Sequence, residues 1–98
     1  MEARAIDHIR DAVSHHAKRY GAKRVYLFGS YARGDATESS DVDLRIDKGQ
    51  IRGLQMAGLL LDLEDSLQKQ VDLIPTSSLN EAFLDAIRPY EVLLCEAD

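Results

Sequence analysis

Apolar residues recur every three or four positions between Ala3 and Tyr20. This spacing places side chains on one face of a helix. The recurring positions are Ile6, Ile9, Val13, Ala17 and Tyr20. Gly21 follows directly and suits the left-handed position that ends many helices. The pattern therefore predicts an amphipathic helix over residues 3–20.

Two short stretches downstream have the composition of β-strands. Lys23–Phe28 is rich in β-branched and aromatic residues. Asp41–Asp47 alternates polar and apolar residues, which is typical of a half-buried strand. Its inward-facing residues are predicted to be Val42, Leu44 and Ile46. Between the two strands, Gly29-Ser30 predicts a break and a short helical turn that Gly34 ends.

The second half of the chain predicts a helix, a strand and another helix. Ile51–Gln68 carries the largest apolar stripe, and Gln70–Ile74 has the composition of a short strand. The stripe is predicted to comprise Leu54, Ala57, Leu60, Leu61 and Leu67. Ser78 is the predicted N-cap of the last helix, with Glu81 completing a capping box. Glu91–Cys95 is either a last strand or a helix end, because so few residues carry no decisive periodicity.

The order of these elements predicts the fold class. Helix–strand–strand–helix–strand–helix, with or without a terminal strand, indicates an α/β (α+β) domain. Its sheet is expected to be mixed and three- to four-stranded, with helices packed on one face. Because 98 residues is the length of one small domain, residues 1–98 are predicted to form a single domain.

Composition excludes several classes of protein. Hydrophobic residues make up 45% and charged residues 30%, the balance of a globular rather than a disordered chain. No apolar run reaches the ~18 residues of a membrane span, and the N-terminus does not resemble a signal peptide, so a cytoplasmic location is expected. The single cysteine, Cys95, excludes an internal disulfide and a cysteine-rich zinc site.

Charge is distributed unevenly along the chain. Residues 1–34 hold seven basic and three acidic side chains, whereas residues 35–98 hold five basic and fourteen acidic ones. A protein that coats nucleic-acid phosphates needs the opposite excess. The acidic body therefore argues against direct nucleic-acid binding and favours cations or a basic protein surface as partners.

The segment from Gly29 to Leu44 contains the candidate chemistry, and three common motifs do not fit it. Asp35 stands where a P-loop needs its phosphate-binding lysine. Tyr31 occupies a position that a dinucleotide fingerprint reserves for glycine. An EF-hand is excluded because Arg45 and Ile46 follow the Asp-x-Asp pair where that loop needs an oxygen ligand and a glycine.

The remaining features combine a phosphate-binding turn with carboxylates. A strand that ends in Gly29-Ser30 and opens a helix presents free backbone N–H groups and a hydroxyl to an anion. Asp41 and Asp43 are two residues apart on a strand, so their side chains project from the same face, about 7 Å apart along the chain. Paired carboxylates are the oxygen ligands that Mg²⁺ prefers, together with phosphate oxygens and water. The segment thus predicts a site for Mg²⁺ and a nucleoside triphosphate.

The chemistry expected at such a site is two-metal phosphoryl or nucleotidyl transfer, which usually needs a third carboxylate from another element. Asp72 is the candidate, because it lies in the strand-like apolar segment Val71–Ile74, where an unpaired charge is costly. Asp47 shares the strand parity of Asp41 and Asp43 and is the rival for this role. Three nearby acids repel one another, so their arrangement predicts dependence on a divalent cation.

The motif resembles that of the minimal nucleotidyltransferase (MNT) family of the DNA polymerase β superfamily. The family pattern is Gly-Ser, ten residues, then Asp-x-Asp, which matches Gly29-Ser30 and Asp41-Val42-Asp43. Ala32-Arg33-Gly34 and Ser40 match its commoner embellishments. The resemblance implies a polymerase β-like fold and covers essentially the whole chain.

The resemblance also implies roles for individual residues and a partner. Gly29 and Ser30 would hold the triphosphate of ATP, and the positive charge of Arg33 would help to balance the phosphate charge. Asp41 and Asp43 would bind two Mg²⁺ ions, with Asp72 as third ligand and base. Several family members pair with HEPN-domain ribonucleases as toxin–antitoxin systems, in which the nucleotidyltransferase antitoxin transfers AMP to a tyrosine of the toxin.

These expectations lead to one principal function and two alternatives. The principal hypothesis is a protein adenylyltransferase that acts as an antitoxin on a HEPN partner. One alternative is a non-catalytic antitoxin that neutralises its partner by binding. The other is a small-molecule nucleotidyltransferase whose site is completed by a second subunit.

A few side chains allow a second interpretation. Arg33 could instead pair with Asp35 or Glu38, and Tyr31 could stack on a base or pack against the sheet. The three histidines lack metal-ligand spacing to the acids and are expected at surface or helix-end positions. They are His8, His15 and His16.

Overall fold

Four α-helices and four strands are present in residues 2–97, the part of the chain that the computed structural model describes. In chain order they are α1 (Glu2–Tyr20), β1 (Arg24–Phe28), α2 (Gly29–Arg33), β2 (Val42–Asp47), α3 (Gln55–Leu67), β3 (Val71–Pro75), α4 (Glu81–Ile87) and β4 (Val92–Glu96), with a 3-10 turn at Thr76–Ser78. The predicted α+β class is confirmed, and the segment left open near the C-terminus is a strand.

The strands form one mixed sheet in the order β3-β2-β1-β4. β1 pairs antiparallel with both β2 and β4, whereas β2 and β3 are parallel and are joined through α3. A parallel pair needs such a crossover, because its second strand must start at the same end of the sheet as the first. The predicted mixed sheet is therefore confirmed, with four strands.

The two faces of the sheet have different roles. One face, here called the core face, packs against α1 and α3, and its strand residues are fully buried. They include Val25, Leu27, Val42, Leu44 and Ile46. Because side chains alternate along a strand, Tyr26, Phe28, Asp43, Arg45 and Asp72 project from the opposite face, called the outer face. The hydrophobic interior therefore lies on one side of the sheet and the candidate chemistry on the other.

The predicted apolar stripe of α3 is wrong in part. The residues that pack into the core are Leu59, Leu63 and Leu67, whereas Leu54 is 89% and Leu61 is 65% exposed and Ala57 also faces solvent. Both leucine sets have helical spacing, so periodicity alone could not choose between them. The helix also begins later than predicted, because Gly53 adopts φ +54° before Gln55.

The predicted capping box at Ser78 is also wrong. Ser78 lies in the 3-10 turn, and Asn80 is the N-cap of α4, with its side-chain Oδ1 accepting a hydrogen bond from the Phe83 N–H at 2.8 Å. Asn and Ser satisfy the free amides of a first helical turn about equally well. The N-cap of α4 therefore lies two residues later than predicted, beyond the 3-10 turn.

Arg45 is a charged residue buried on the outer face, with 8% of its side chain exposed. Its guanidinium donates two hydrogen bonds to the Glu91 carboxylate, at 2.7 and 3.2 Å, and one to Thr76 Oγ1 at 3.2 Å. Its Cζ atom lies 3.8 Å from the centre of the Tyr26 ring. A buried charge needs such partners, so Arg45 joins β2 to the segments that flank α4 and leaves little net charge in the middle of the face.

Within residues 2–97, no helix is both long enough and apolar enough to cross a lipid bilayer.

Candidate active site

The turn at Gly29-Ser30 lies where β1 ends and α2 begins. Gly29 has φ +75°, a left-handed conformation that glycine adopts readily and other residues rarely do. The preceding residue, Phe28, is extended and provides no side-chain cap for α2. The first amides of α2 and the Ser30 hydroxyl are therefore presented together at this turn. Such a group of donors suits an anionic phosphate.

Gly29 is also in close contact with a candidate metal ligand. A Cβ atom built on Gly29 would overlap Oδ2 of Asp43 and lie 2.9 Å from its Cγ. Only a residue without a side chain leaves room for the carboxylate there. The structure thus brings the predicted phosphate turn against Asp43, and the glycine is required for this close approach.

Asp43 and Asp72 lie side by side on neighbouring strands. They are partners in the parallel register of β2 and β3, and on its other side Asp43 is paired with Phe28 of β1. Asp72 lies close enough to Asp43 to raise the pKa of the Asp43 carboxyl group. Asp41 stands one residue before β2 and is exposed, with Asp43 within range of its charge. The predicted third acid is therefore adjacent to the Asp-x-Asp pair.

The environment of Asp43 favours its protonated form. Desolvation is the largest cause, followed by the hydrogen bond and charge of Asp72 and by the charge of Asp41, and together they raise the pKa of Asp43 to about 6. The Arg33 guanidinium acts in the opposite direction. A carboxylate that is desolvated beside two others is stabilised by any cation placed among them.

The donor set fits a divalent cation that is shared with a ligand. Among residues 2–97, no group of three or more His, Cys, Asp or Glu side chains is placed to hold a metal ion. Mg²⁺ seldom uses such a group, because it is usually held by one or two carboxylates together with substrate phosphates and water. Asp43 and Asp72 provide paired oxygens next to the Gly29-Ser30 turn. Cation and phosphate would therefore complete the site together.

The rival acid, Asp47, lies elsewhere. Its carboxylate is 3.5 Å from Nη1 of Arg24 and 3.9 Å from Nη1 of Arg45. It lies four positions along the extended strand from Asp43, about 13 Å away along the sheet. Its position is that of an ion-pair partner of Arg24 and Arg45, whereas Asp72 is the acid paired with Asp43 in the strand register.

Arg33 is placed both for an ion pair with Asp35 and for a contact with a phosphate group. Its Nε lies 3.3 Å from Oδ2 of Asp35 in an exposed ion pair. At the same time it is near enough to lower the pKa of Asp43. Exposed ion pairs of this kind are weak, so the guanidinium remains available to a phosphate group at the turn.

Sequence reasoning missed one residue that shapes the site. The Lys69 ammonium donates a hydrogen bond to the Glu38 carbonyl at 2.8 Å, which ties the loop before Asp41 to the start of β3. The Val42 N–H bonds to the Gln70 carbonyl at 3.0 Å in the same region. A lone lysine carries no pattern that would reveal this contact from sequence.

The structure also shows the surroundings of the tyrosine, histidine and cysteine side chains that the sequence analysis considered. Tyr31 is 9% exposed and packs into the core, so packing against the sheet is the correct interpretation for it. His16 bonds through Nε2 to Ser66 Oγ at 2.6 Å between α1 and α3, while His8 and His15 are exposed on α1. Cys95 is half-buried, with burial raising the pKa of its thiol.

At pH 8, the repulsion among the crowded carboxylates should destabilise the metal-free protein. The pKa of Asp43 is about 6 in the folded chain, against 3.8 for an isolated carboxyl. The folded state therefore binds more protons between these values, and stability falls as pH rises through that window. We expect Asp43→Asn to raise the free energy of unfolding at pH 8 by about 1 kcal/mol after allowance for solvent screening.

Thermal melting in EDTA at pH 8 and pH 4 measures this effect. The Asn variant should melt about 5 °C above the wild type at pH 8, and the difference should shrink at pH 4. Asp65→Asn on the exposed side of α3 is the matched control and should show no such pH dependence. A wild type that is more stable than the Asn variant at pH 8 would contradict the electrostatic account of the site.

Comparisons with known proteins bear on the family of this chain. The family model described as "Polymerase beta, Nucleotidyltransferase" matches residues 11–98. The chain is 32% identical over 95 residues to the protein adenylyltransferase MntA of Thermococcus cleftensis, covering 89% of this chain and 93% of that protein. A solved structure described as a minimal nucleotidyltransferase is 34% identical, with a TM-score of 0.79 and coverage of 94% and 95% of the two chains.

A more distant structure has the same fold. It is the complex of a tri-AMPylated Shewanella oneidensis HEPN toxin with an MNT antitoxin, to which this chain is similar with a TM-score of 0.69 at 17% identity, covering 99% of this chain and 74% of that one. The order of strands, the Gly29-Ser30 turn and the paired acids now have a common explanation. The chain belongs to the polymerase β nucleotidyltransferase family.

Proposed function

We propose that this protein transfers AMP from ATP to a hydroxyl group of a partner protein, with two Mg²⁺ ions at Asp41, Asp43 and Asp72. The observation that carries the proposal is the contact of Asp43 with both the Gly29 turn and Asp72. The relatives named protein adenylyltransferase support the choice of a protein acceptor. The whole chain would act as the nucleotidyltransferase domain, in the cytoplasm where ATP is supplied.

The chain's own residues would each perform a distinct task. The amides at Gly29-Ser30 and the Arg33 guanidinium would hold the triphosphate, and Asp41 and Asp43 would hold the Mg²⁺ ions beside it. The acceptor oxygen attacks the α-phosphorus, the bond to the β-phosphate oxygen breaks, and pyrophosphate leaves. Asp72 takes the acceptor proton. Bound Mg²⁺ would lower the pKa of the acceptor hydroxyl and neutralise the leaving pyrophosphate.

The partner is proposed to be a HEPN-domain toxin with a tyrosine acceptor. Two observations support this choice. One is the fold shared with an MNT antitoxin whose HEPN toxin carries AMP. The other is the excess of acids in residues 35–98, which favours a partner with a basic surface such as an RNA-cutting enzyme.

Co-expression with a HEPN-domain toxin tests the proposal. Wild type should transfer labelled AMP from ATP to that protein and relieve its toxicity, and the double variant Asp41→Asn/Asp43→Asn should do neither. Equal labelling by the double variant would refute catalysis by these acids. If labelling stops while neutralisation persists, the protein acts by occlusion instead. Labelling of a small molecule and not of the protein would favour the other alternative.

A further inference from the structure

We propose that the exposed ring of Phe83 is the stacking surface for the nucleobase of the triphosphate substrate. This inference rests on the proposed function, because it assigns part of the same substrate to a residue outside the family motif. The ligand class is an aromatic base attached to the sugar of the bound triphosphate.

The position of Phe83 follows from the strand register. Phe28 is the β1 partner of Asp43, so its ring lies on the outer face beside that carboxylate. The Phe83 ring packs edge-to-face against Phe28, with their centres 5.7 Å apart and their planes at 87°. Phe28 is 7% exposed, whereas Phe83 is 40% exposed. The pair therefore forms an aromatic wall beside Asp43, and Phe83 is the member that a ligand can reach.

Phe83 is also held in place. Its N–H is the group that the Asn80 cap binds at 2.8 Å, and the next residue, Leu84, is buried. An edge-to-face contact covers at most one face of the Phe83 ring. An anchored ring with an uncovered face is suited to stacking, because little side-chain freedom is lost when the base binds.

The other aromatic side chains are unsuited to this role. Tyr20 bonds to Asp62 between α1 and α3, and the Tyr26 ring is covered by Arg45. Tyr31 is buried in the core. Tyr90 is 56% exposed but lies in the connection between α4 and β4, with no aromatic contact to the residues beside Asp43. Among the six aromatic residues, Phe83 is thus the ring that is both exposed and packed against the site.

The sheet order favours the base over the acceptor as the occupant. An acceptor that gives its proton to Asp72 approaches from β3, on one side of Asp43. Phe28 and Phe83 lie on the other side, with β1, where the Gly29-Ser30 turn would hold the phosphates. Arg45, on the same face, is neutralised by Glu91 and adds little net charge beside the rings.

A comparison of two ligands isolates the base. Binding of Mg²⁺-ATP and of Mg²⁺-tripolyphosphate, which has no base or sugar, is measured by calorimetry for the wild type and for Phe83→Leu and Phe83→Trp. The leucine keeps an apolar contact with Phe28 but cannot stack. We expect it to weaken ATP binding about 5- to 20-fold and to leave tripolyphosphate binding unchanged, with tryptophan restoring ATP affinity. Tyr90→Leu is the matched control and should change neither affinity.

Each result has a defined meaning. Equal ATP affinity in the wild type and Phe83→Leu would overturn the inference. If AMP transfer were reduced at that unchanged affinity, Phe83 would contribute to binding of the acceptor instead. Parallel losses for both ligands would also overturn it, because they would show a general disturbance of the site. A wild type that binds tripolyphosphate and ATP equally would contradict the stacking role alone, whereas failure to bind either would count against the proposed function itself.

Discussion

Replacing Asp72 by Asn should reduce the rate of AMP transfer by about 1000-fold, equivalent to about 4 kcal/mol of transition-state stabilisation. The amide keeps the size of the carboxyl group and its contact with Asp43, but it cannot accept the acceptor proton and is a poorer ligand for a cation. Because Asp41, Asp43 and the Gly29-Ser30 turn are untouched, the affinity for Mg²⁺-ATP should fall by less than about tenfold.

Single-turnover transfer of labelled AMP to the proposed HEPN partner, with ATP binding measured separately, tests this expectation. Asp47→Asn is the informative control, because Asp47 is an acid of the same outer face whose partners are Arg24 and Arg45. That variant should transfer AMP at the wild-type rate. Loss of transfer in Asp47→Asn together with normal transfer in Asp72→Asn would reverse the assignment of the third acid.

Replacing Gly29 by Ala should reduce kcat/KM by at least about 100-fold. The added Cβ would overlap the Asp43 carboxylate, so either the turn or the acid must move. Displacements of about 1 Å at reacting groups have effects of this size. Both the phosphate-binding amides and the metal ligand are disturbed at once, which is why one methyl group is expected to have so large an effect.

The control for this substitution is another glycine with positive φ. Gly53 has φ +54°, and no atom lies within 4 Å of the position that a Cβ would take there. Gly53→Ala therefore has a similar backbone cost, about 1 kcal/mol, without the steric overlap. It should lower the melting temperature by no more than Gly29→Ala does, because it lacks the overlap with Asp43, and it should leave kcat/KM unchanged. Similar kinetic losses in both variants would show that backbone strain, and not the contact with Asp43, explains the effect.

Local patterns predicted most of the fold. Alternation in Asp41–Asp47 correctly placed Val42, Leu44 and Ile46 in the core, because a residue's face in a strand depends only on its parity. The same reasoning was wrong for α3, where two sets of leucines have equal spacing. It was also wrong for the cap of α4, where Ser78 and Asn80 have similar capping propensity.

The candidate site was predicted only in outline. The interval between Gly29-Ser30 and Asp41 indicated which residues belong together, since that motif is contained in one short segment. Arg33 remained ambiguous because Asp35 and a phosphate attract it by the same charge. The contact of Lys69 with the Glu38 carbonyl and that of Phe83 with Phe28 join segments distant in sequence, and neither leaves a periodic signal.

The sequence by itself determined the strands, the turn at Gly29-Ser30 and the orientation of Asp43 away from the core, because these depend on neighbouring residues. Only the tertiary structure decided that Asp72 lies beside Asp43, that α3 buries Leu59 and Leu63, and that Phe83 reaches the outer face. The physical reason is that strand register and helix rotation are selected by the packing of the whole core, to which each segment contributes only part of the free energy.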